Sequence, residues 1–461
     1  MFWFLAGNRC FKKLSSTAAR SKDNGLIGCR VGVRILWHRA LSYGTVGYLG
    51  TDRGAQVLGA EKKSIAIDLC AAIAEASKTA EDLQKAISTT TFATVGLDGG
   101  IPEKAHHAHI TGVHKGIRAA AKVTGFITGT VLDITTSADA QSMSDRPKGA
   151  ALVAGAACAF GDSMNSTGSA LATDMAVRVR GRAVPVTRRD LRRAFPVARP
   201  RIVVFIHGLG GTEFTWGQQY SYADHLKHDL DITPVMIRYN TGRHIPENGA
   251  DFDRLLTDLV REWPTDVASV DIVAHSMGGL ITRSACAIAE QRQSRGESSQ
   301  WLERLDHICY LGAPNYGAPA ERFAHNAIST LGSFQIGAPL ARLANRRSAG
   351  IKDLRHGTIS ATDTAHGDAD RREIPDHQNL PLTAGVKHHF VSTTVLPPHY
   401  GKLAHAVGDF LVQPSSALAD TPSGNREPLA PDRVHRLAGK HHNDLLRDDD
   451  VYQILVNTLA V

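Results

Sequence analysis

The stretch VDIVAHSMGGL, Val270 to Leu280, sets a serine directly after an apolar β-type run and just ahead of two glycines. A serine hydroxyl is a poor nucleophile until a base takes its proton. A sharp strand-to-helix turn can present it for that purpose. Such a turn forces the backbones two residues before and two residues after the serine together, so both must be small. Ala274 and Gly278 meet that need around Ser276, with alanine where glycine is the commoner choice. Without its strand-turn-helix context the same stretch would read as an ordinary glycine-rich loop. His275, beside the serine, is read as structural.

A serine on such an elbow needs an acid and a base further along the chain, in the order serine, acid, histidine. The acid belongs in a loop past a later strand. Asp409, in AVGDFLVQPSSALA, follows the apolar run HHFVSTTVL. Taken alone it would be a turn-forming Gly-Asp pair. The base belongs in a loop before the last helical pattern, where GKHHNDLLRDDDVYQIL offers His441 and His442. Taken alone either would be a capping or surface histidine. Acyl transfer also needs donors for a developing oxyanion. IHGLGG, Ile206 to Gly211, supplies a strand end and a tight glycine turn. The backbone N–H groups of Leu209 and of Met277 are the expected oxyanion-hole donors. His207 precedes the serine and is read as bracing this loop by hydrogen bonding rather than as the base.

These residues require a scaffold, and the alternation from Arg201 onward describes one. RIVVFIHG and ITPVMIRYN read as strands, and DFDRLLTDLVREW as a helix with Phe252, Leu255, Leu256, Leu259, Val260 and Trp263 on one face. VASVDIVAH, DHICYLG and HHFVSTTVL are further strands, GGLITRSACAIAE a helix, and DDDVYQILVNTL a helix whose acidic start suits the positive end of its dipole. The pattern predicts an α/β fold: a mostly parallel sheet with helices on both faces and its site at the carboxyl ends of the strands. LGAPNYGAP ends a strand and opens an insertion at about 318–388. That is too long for a plain loop and is expected to be a cap that shapes the pocket and excludes water.

Ahead of this domain, 199–461, the chain reads differently. Residues 1–60 show little periodicity and are expected to be a loosely ordered extension. Residues 61–198 read as a helical module and basic linker: Ile65, Leu69, Ile73, Ala76, Ala80, Leu83 and Ile87 step at helical spacing, and VHKGIRAAAKVTGFITGTVLD and GAALVAGAACAFGDSM suggest two more helices. His106, His107 and His109 are read as part of a solvated loop rather than a metal site. The arginine-rich run from Arg178 to Arg201 reads as a solvated linker, with contact to an anionic surface as the alternative.

The composition, 43% apolar and 21% charged with a net charge of +7, is that of a folded globular chain. Nothing in it calls for nucleic acid: no zinc-finger spacing and no aromatic-interleaved basic repeat occur. The six cysteines include no CxxC pair, which argues against structural zinc and fits a reducing compartment. Met1 to Ala6 is too short for a signal segment, and Gly149 to Gly161 falls short of the roughly 18 residues of a membrane span. The expected location is cytoplasmic or peripheral to a membrane. Oligomeric state is not legible.

Taken together, Arg201 to Val461 resembles an α/β-hydrolase of the lipase/esterase superfamily, nearest to bacterial lipase-like proteins related to GPI inositol-deacylases. HGLGG, RYNTGRHIPENG, AHSMGG, LGAPNYGAP, RRSAGIKDLRHG, GDFLVQPSSA and HHNDLLRDDDVY carry the resemblance. GDSMNSTGSALATDMAVRVRGRAV also looks like the lead-in of such proteins. The resemblance implies a serine hydrolase that cleaves carboxylic esters through an acyl-enzyme, with a lipid or other ester as substrate and no cofactor or metal. It maps the nucleophile onto Ser276, the acid onto Asp409 and, through His-x-Asp-Leu-Leu, the base onto His442, with His441 the alternative. Phe410 stands where the family's Gly-Asp-Gly has its second glycine. Acyl transfer by the same triad and a catalytically inactive binding module are the competing expectations.

Overall fold

Runs of aliphatic and β-branched residues build one eight-stranded sheet. The computed structural model describes residues 142–217, 222–318, 348–360, 381–419 and 430–460, together with 100–134 and scattered helical positions between 60 and 89. The expected extension up to residue 59 and most of the expected cap, 319–347 and 361–380, lie outside the described residues.

The strands are β1 (Ala176–Val179), β2 (Arg182–Val184), β3 (Arg201–Ile206), β4 (Thr233–Arg238), β5 (Ser269–His275), β6 (Leu305–Leu311), β7 (Lys387–Thr394) and β8 (Val434–Ala438). Their order across the sheet is β2-β1-β4-β3-β5-β6-β7-β8. From β4 to β8 neighbouring strands are parallel, while β1 runs antiparallel to both β2 and β4. The helices that matter for the site are α1 (Ile101–Ile134), α2 (Pro147–Ser166), α3 (Tyr222–Asp229), α4 (Ile245–Glu262), α5 (Met277–Ser294), α6 (Ala349–His356), α7 (Lys402–Val407) and α8 (Asp449–Leu459).

Successive strand residues point to opposite faces. Ile202, Val204, Ile206, Ile272 and Ile308 therefore share one core with Phe252, Leu256 and Leu259 of α4 and Leu280 and Ile281 of α5. Val203, Phe205, Val273, Cys309 and Val391 share the other with Leu226 of α3 and Val451, Leu455 and Leu459 of α8. Both faces are covered, which is why the central strands are apolar without interruption. Each such side chain contributes on the order of 1.5–3 kcal/mol by leaving water. The face predicted for DFDRLLTDLVREW is the buried face of α4, although the helix starts earlier, at Ile245 with Pro246 in its first turn.

Three expectations change. The arginine-rich run expected as a solvated linker contains much of a β-hairpin and a short helix, Arg188–Ala194. Arg180 and Gly181 both take positive φ, +52° and +87°, as a two-residue hairpin turn requires. Val177, just ahead of the first arginine, is fully buried, and so is Leu191 on the short helix, so the segment packs on apolar positions that its charge obscures. The sheet accordingly begins before residue 199. His106, His107 and His109 lie on α1, not in a loop. β8, VHRLA, is partly exposed along its length and lacks the alternation of a half-buried strand. No described helix is long and apolar enough to cross a membrane.

Candidate active site

Ser276 occupies the single residue between the end of β5 and the start of α5. Its backbone takes φ +52° and ψ −122°. That region costs a non-glycine residue on the order of 1–3 kcal/mol and persists only where the surroundings enforce it. Here they do. The Ser276 N–H donates to the Leu311 carbonyl at 2.9 Å, and its carbonyl accepts from the Gly279 N–H at 2.9 Å. A Cβ on Gly278 would lie 2.7 Å from the Ile206 carbonyl oxygen, and one on Gly208 would lie 2.8 Å from Ser276 Cβ. The small residues thus let the ends of β3 and β5 approach closely enough to set the serine beside the glycine turn.

Asp409 lies in the crossover from β7 to β8, just past α7. Leu411 N–H at 2.9 Å and Val412 N–H at 2.7 Å donate to its Oδ1. Its Oδ2 accepts from His442 Nδ1 at 2.7 Å. The His442 N–H also donates to the Asp409 carbonyl at 3.2 Å. Both side chains are buried. With the Nδ1 proton turned to the carboxylate, His442 Nε2 is the basic nitrogen. It is buried and has no hydrogen-bond partner. Phe410 adopts the glycine-like φ of +77°, so the turn forms despite the missing glycine, at a cost in strain.

The imidazole reaches the serine's neighbourhood through two contacts. The His275 ring lies 4.8 Å from the His442 ring, centroid to centroid, and His275 Nε2 donates to the His442 carbonyl at 3.3 Å. Gly312, φ +62°, passes so close that an added Cβ would sit 3.1 Å from His442 Cε1. Burial, with His442 next in effect, pushes His275 well below the ordinary histidine range, so it stays neutral. His441 is exposed, its N–H bonded to Asp444 Oδ2 at 2.7 Å and its ring 5.3 Å from that of Phe410. The structure pairs Asp409 with His442 and leaves His441 outside.

The glycine turn after β3 orients one expected oxyanion donor. His207 Nδ1 donates to the Gly208 carbonyl at 2.9 Å, and the Gly211 N–H reaches the same oxygen at 3.0 Å. That carbonyl belongs to the peptide that carries the Leu209 N–H. A trans peptide points the two in opposite directions, so holding one aims the other. Burial pushes His207 down to about 3, which suits a neutral brace and not a base. The Met277 N–H is the first amide of α5, where backbone donors have no intrahelical partner and the helix dipole is positive. The sequence reading missed the residues that hold this turn from outside, Tyr239 and Thr241. RYNTG was their only signal.

A second polar group lies at the other end of the strands. Carboxylate and imidazole ligand atoms of Asp271, Asp306 and His307 lie within 4.8 Å of one another. Cations already serve them: Arg201 Nε lies 3.0 Å from Asp271 Oδ2, and Lys387 Nζ lies 3.1 Å from Asp306 Oδ1 and 3.2 Å from His307 Nε2. Two basic side chains in place of a metal make this an ion-pair network.

Comparison with known proteins gives one family match and several solved structures of low similarity. The sequence profile described as "Alpha/beta hydrolase family" matches residues 203–453, more than half of the chain. Among solved structures, a mature lipase of Bacillus licheniformis is 16% identical over 57% of this chain and 94% of that one, with a TM-score of 0.38. Lipase B of Aspergillus fumigatus is 12% identical over 61% and 59%, with a TM-score of 0.35. An esterase of Pyrobaculum calidifontis is 14% identical over 57% and 76%, with a TM-score of 0.30. No curated protein sequence matches.

Proposed function

The chain belongs to the α/β-hydrolase family, and from that premise we propose that it is a serine hydrolase of carboxylic esters, a lipase or esterase. The carrying observation is the Asp409–His442 pair, whose basic Nε2 is buried without a partner beside the strained Ser276 elbow. In this reading His442 Nε2 takes the Ser276 proton as Oγ attacks the ester carbonyl. Asp409 holds the Nδ1 proton and stabilises the imidazolium. The Leu209 and Met277 N–H groups receive the negative oxygen of the tetrahedral adduct. His442 then gives its proton to the departing alcohol, and water releases the acyl group by the same steps in reverse. Phe410, Tyr400 and Leu403, all exposed in the crossover that carries Asp409, support an ester with an apolar part. Hydrolysis needs no cofactor in this scheme.

A fluorophosphonate probe and a series of p-nitrophenyl esters test the reading. Wild-type protein is expected to be labelled and to hydrolyse esters, and Ser276→Ala to lose labelling and at least about 10⁴-fold in kcat. A folded wild type with neither property, or labelling that survives Ser276→Ala, would overturn it.

A further inference from the structure

The segment leaving β4 touches the glycine turn at both ends. Tyr239 donates its hydroxyl to the His207 carbonyl at 2.8 Å, and its ring stacks on the His207 imidazole at 4.5 Å. Two residues on, Thr241 Oγ1 accepts the Gly210 N–H at 3.2 Å. Leu209 lies between these two anchor points. The turn has few side chains of its own to hold it, since Gly208, Gly210 and Gly211 offer none, and Gly210 adopts a φ of +66°. An amide aimed at a transition state works only as well as its orientation is fixed. His207 and the Gly211 amide fix the peptide that carries the Leu209 N–H. The next peptide, Leu209 to Gly210, is held by Thr241.

Thr241 is itself over-determined. It is buried, and its hydroxyl lies 3.8 Å from the Cys158 thiol on α2. Burial pushes that thiol up to about 12, so it keeps its proton and stays a neutral partner. Beside it, Asn240 Nδ2 donates to the Gly161 carbonyl of α2 at 2.9 Å, and Asn240 Oδ1 accepts from the Gly242 N–H at 3.0 Å. On the other side the Gly350 N–H, at the start of α6, donates to the Gly242 carbonyl at 3.2 Å. A side chain at 350 would strike the Thr241 carbonyl and would come 2.9 Å from Met277 Cε. The lead-in helix, the start of α6 and the glycine turn therefore converge on one hydroxyl-bearing residue.

Resting on the esterase reading above, we propose that Thr241 is a positioning residue for oxyanion stabilisation: its hydroxyl, clamped by α2, fixes the Leu209–Gly210 peptide so that the Leu209 N–H faces the reacting carbonyl. Thr241 does not touch the substrate. Its removal is expected to weaken transition-state binding and leave ground-state binding alone.

The test compares Thr241→Val, which replaces the hydroxyl by a methyl of similar size, with Thr241→Ser, which keeps the hydroxyl. Each is assayed on a p-nitrophenyl ester and with an alkyl boronic acid, whose serine adduct is a tetrahedral anion. Thr241→Val is expected to lose about tenfold or more in kcat with KM within about twofold, a fraction of the loss from deleting a donor outright. Its boronate affinity should fall by the same factor as kcat/KM, and Thr241→Ser should stay within about threefold of wild type in both. If the valine variant does not fold, Thr241→Ala takes its place with the same expectations. A folded hydroxyl-free variant with wild-type kcat and boronate affinity overturns the proposal, as does a serine variant equally impaired. Ser276→Ala is run in parallel: ester hydrolysis that survives it overturns the esterase reading, and this proposal with it.

Discussion

Asp409 serves two masters, and that makes its chemistry separable from its structure. Oδ1 holds the turn through Leu411 and Val412, while Oδ2 holds His442. Asp409→Asn retains an oxygen for the turn and presents an N–H₂ group to Nδ1. The imidazole must then carry its proton on Nε2, where it cannot accept one from Ser276. The expected result is a loss of about 10³–10⁴-fold in kcat with an unchanged melting temperature, as seen for this change in serine-protease triads. Steady-state kinetics beside thermal unfolding checks it, and an active Asp409→Asn enzyme would remove the carboxylate from the scheme. At this scale the sequence was informative where backbone geometry constrains residue type. Ser276 stood out because Ala274 and Gly278 flank it. Thr241 and Tyr239 did not, because a hydroxyl that holds a distant amide leaves no local pattern.

Among the elements, α2 belongs with the sheet more closely than its place in the chain suggests. Gly161 lies against Gly242, and a Cβ at 161 would strike the Asn240 side chain and come 2.9 Å from Gly242 Cα. Gly161→Ala is therefore expected to destabilise by about 2 kcal/mol, the usual cost of overpacking a tight contact. Urea unfolding measures this directly, and an unchanged midpoint would mean that α2 does not rest on this contact. The helix itself was legible in GAALVAGAACAFGDSM, since alanine favours helix. Its partner was not, because a glycine-to-glycine contact between segments far apart in sequence has no periodicity. The β1–β2 hairpin escaped for another reason: Arg178, Arg180 and Arg182 outweigh Val177, the one buried side chain of its two strands. β8 escaped because an edge strand with little burial need not be apolar.

For the whole molecule, the sheet separates two polar zones, the candidate site at the carboxyl ends of the strands and a buried row toward their amino ends. In that row His307 Nδ1 lies 3.2 Å from His389 Nε2, and the rings of His389 and His435 stack at 6.3 Å. Burial pushes His389 down to about 4, His207 to about 3 and His275 well below the ordinary range. The unfolded chain takes up these protons near pH 6.5, before the folded chain does. Their contribution is thus intact above that pH and is lost as pH falls toward 4, at up to about 1.4 kcal/mol per pH unit for each histidine. Asp271, raised by burial to about 6, acts in the opposite sense: it favours the folded state at low pH, and that benefit is lost as pH rises through about 6. Histidines outnumber it, so the unfolding free energy is expected to fall between pH 7 and 4.5. Denaturant titrations across that range read the slope, and a flat or rising profile on acidification would contradict this balance.

The strand order has a consequence for the site. Ser276 and the Leu209 and Met277 amides lie on the segments leaving β3 and β5, which pair with each other in the middle of the sheet. His442 arrives only with β8, at the margin, on the flank of β7. In the proposed scheme, therefore, the serine has no base until the segment following β8 is docked on the sheet.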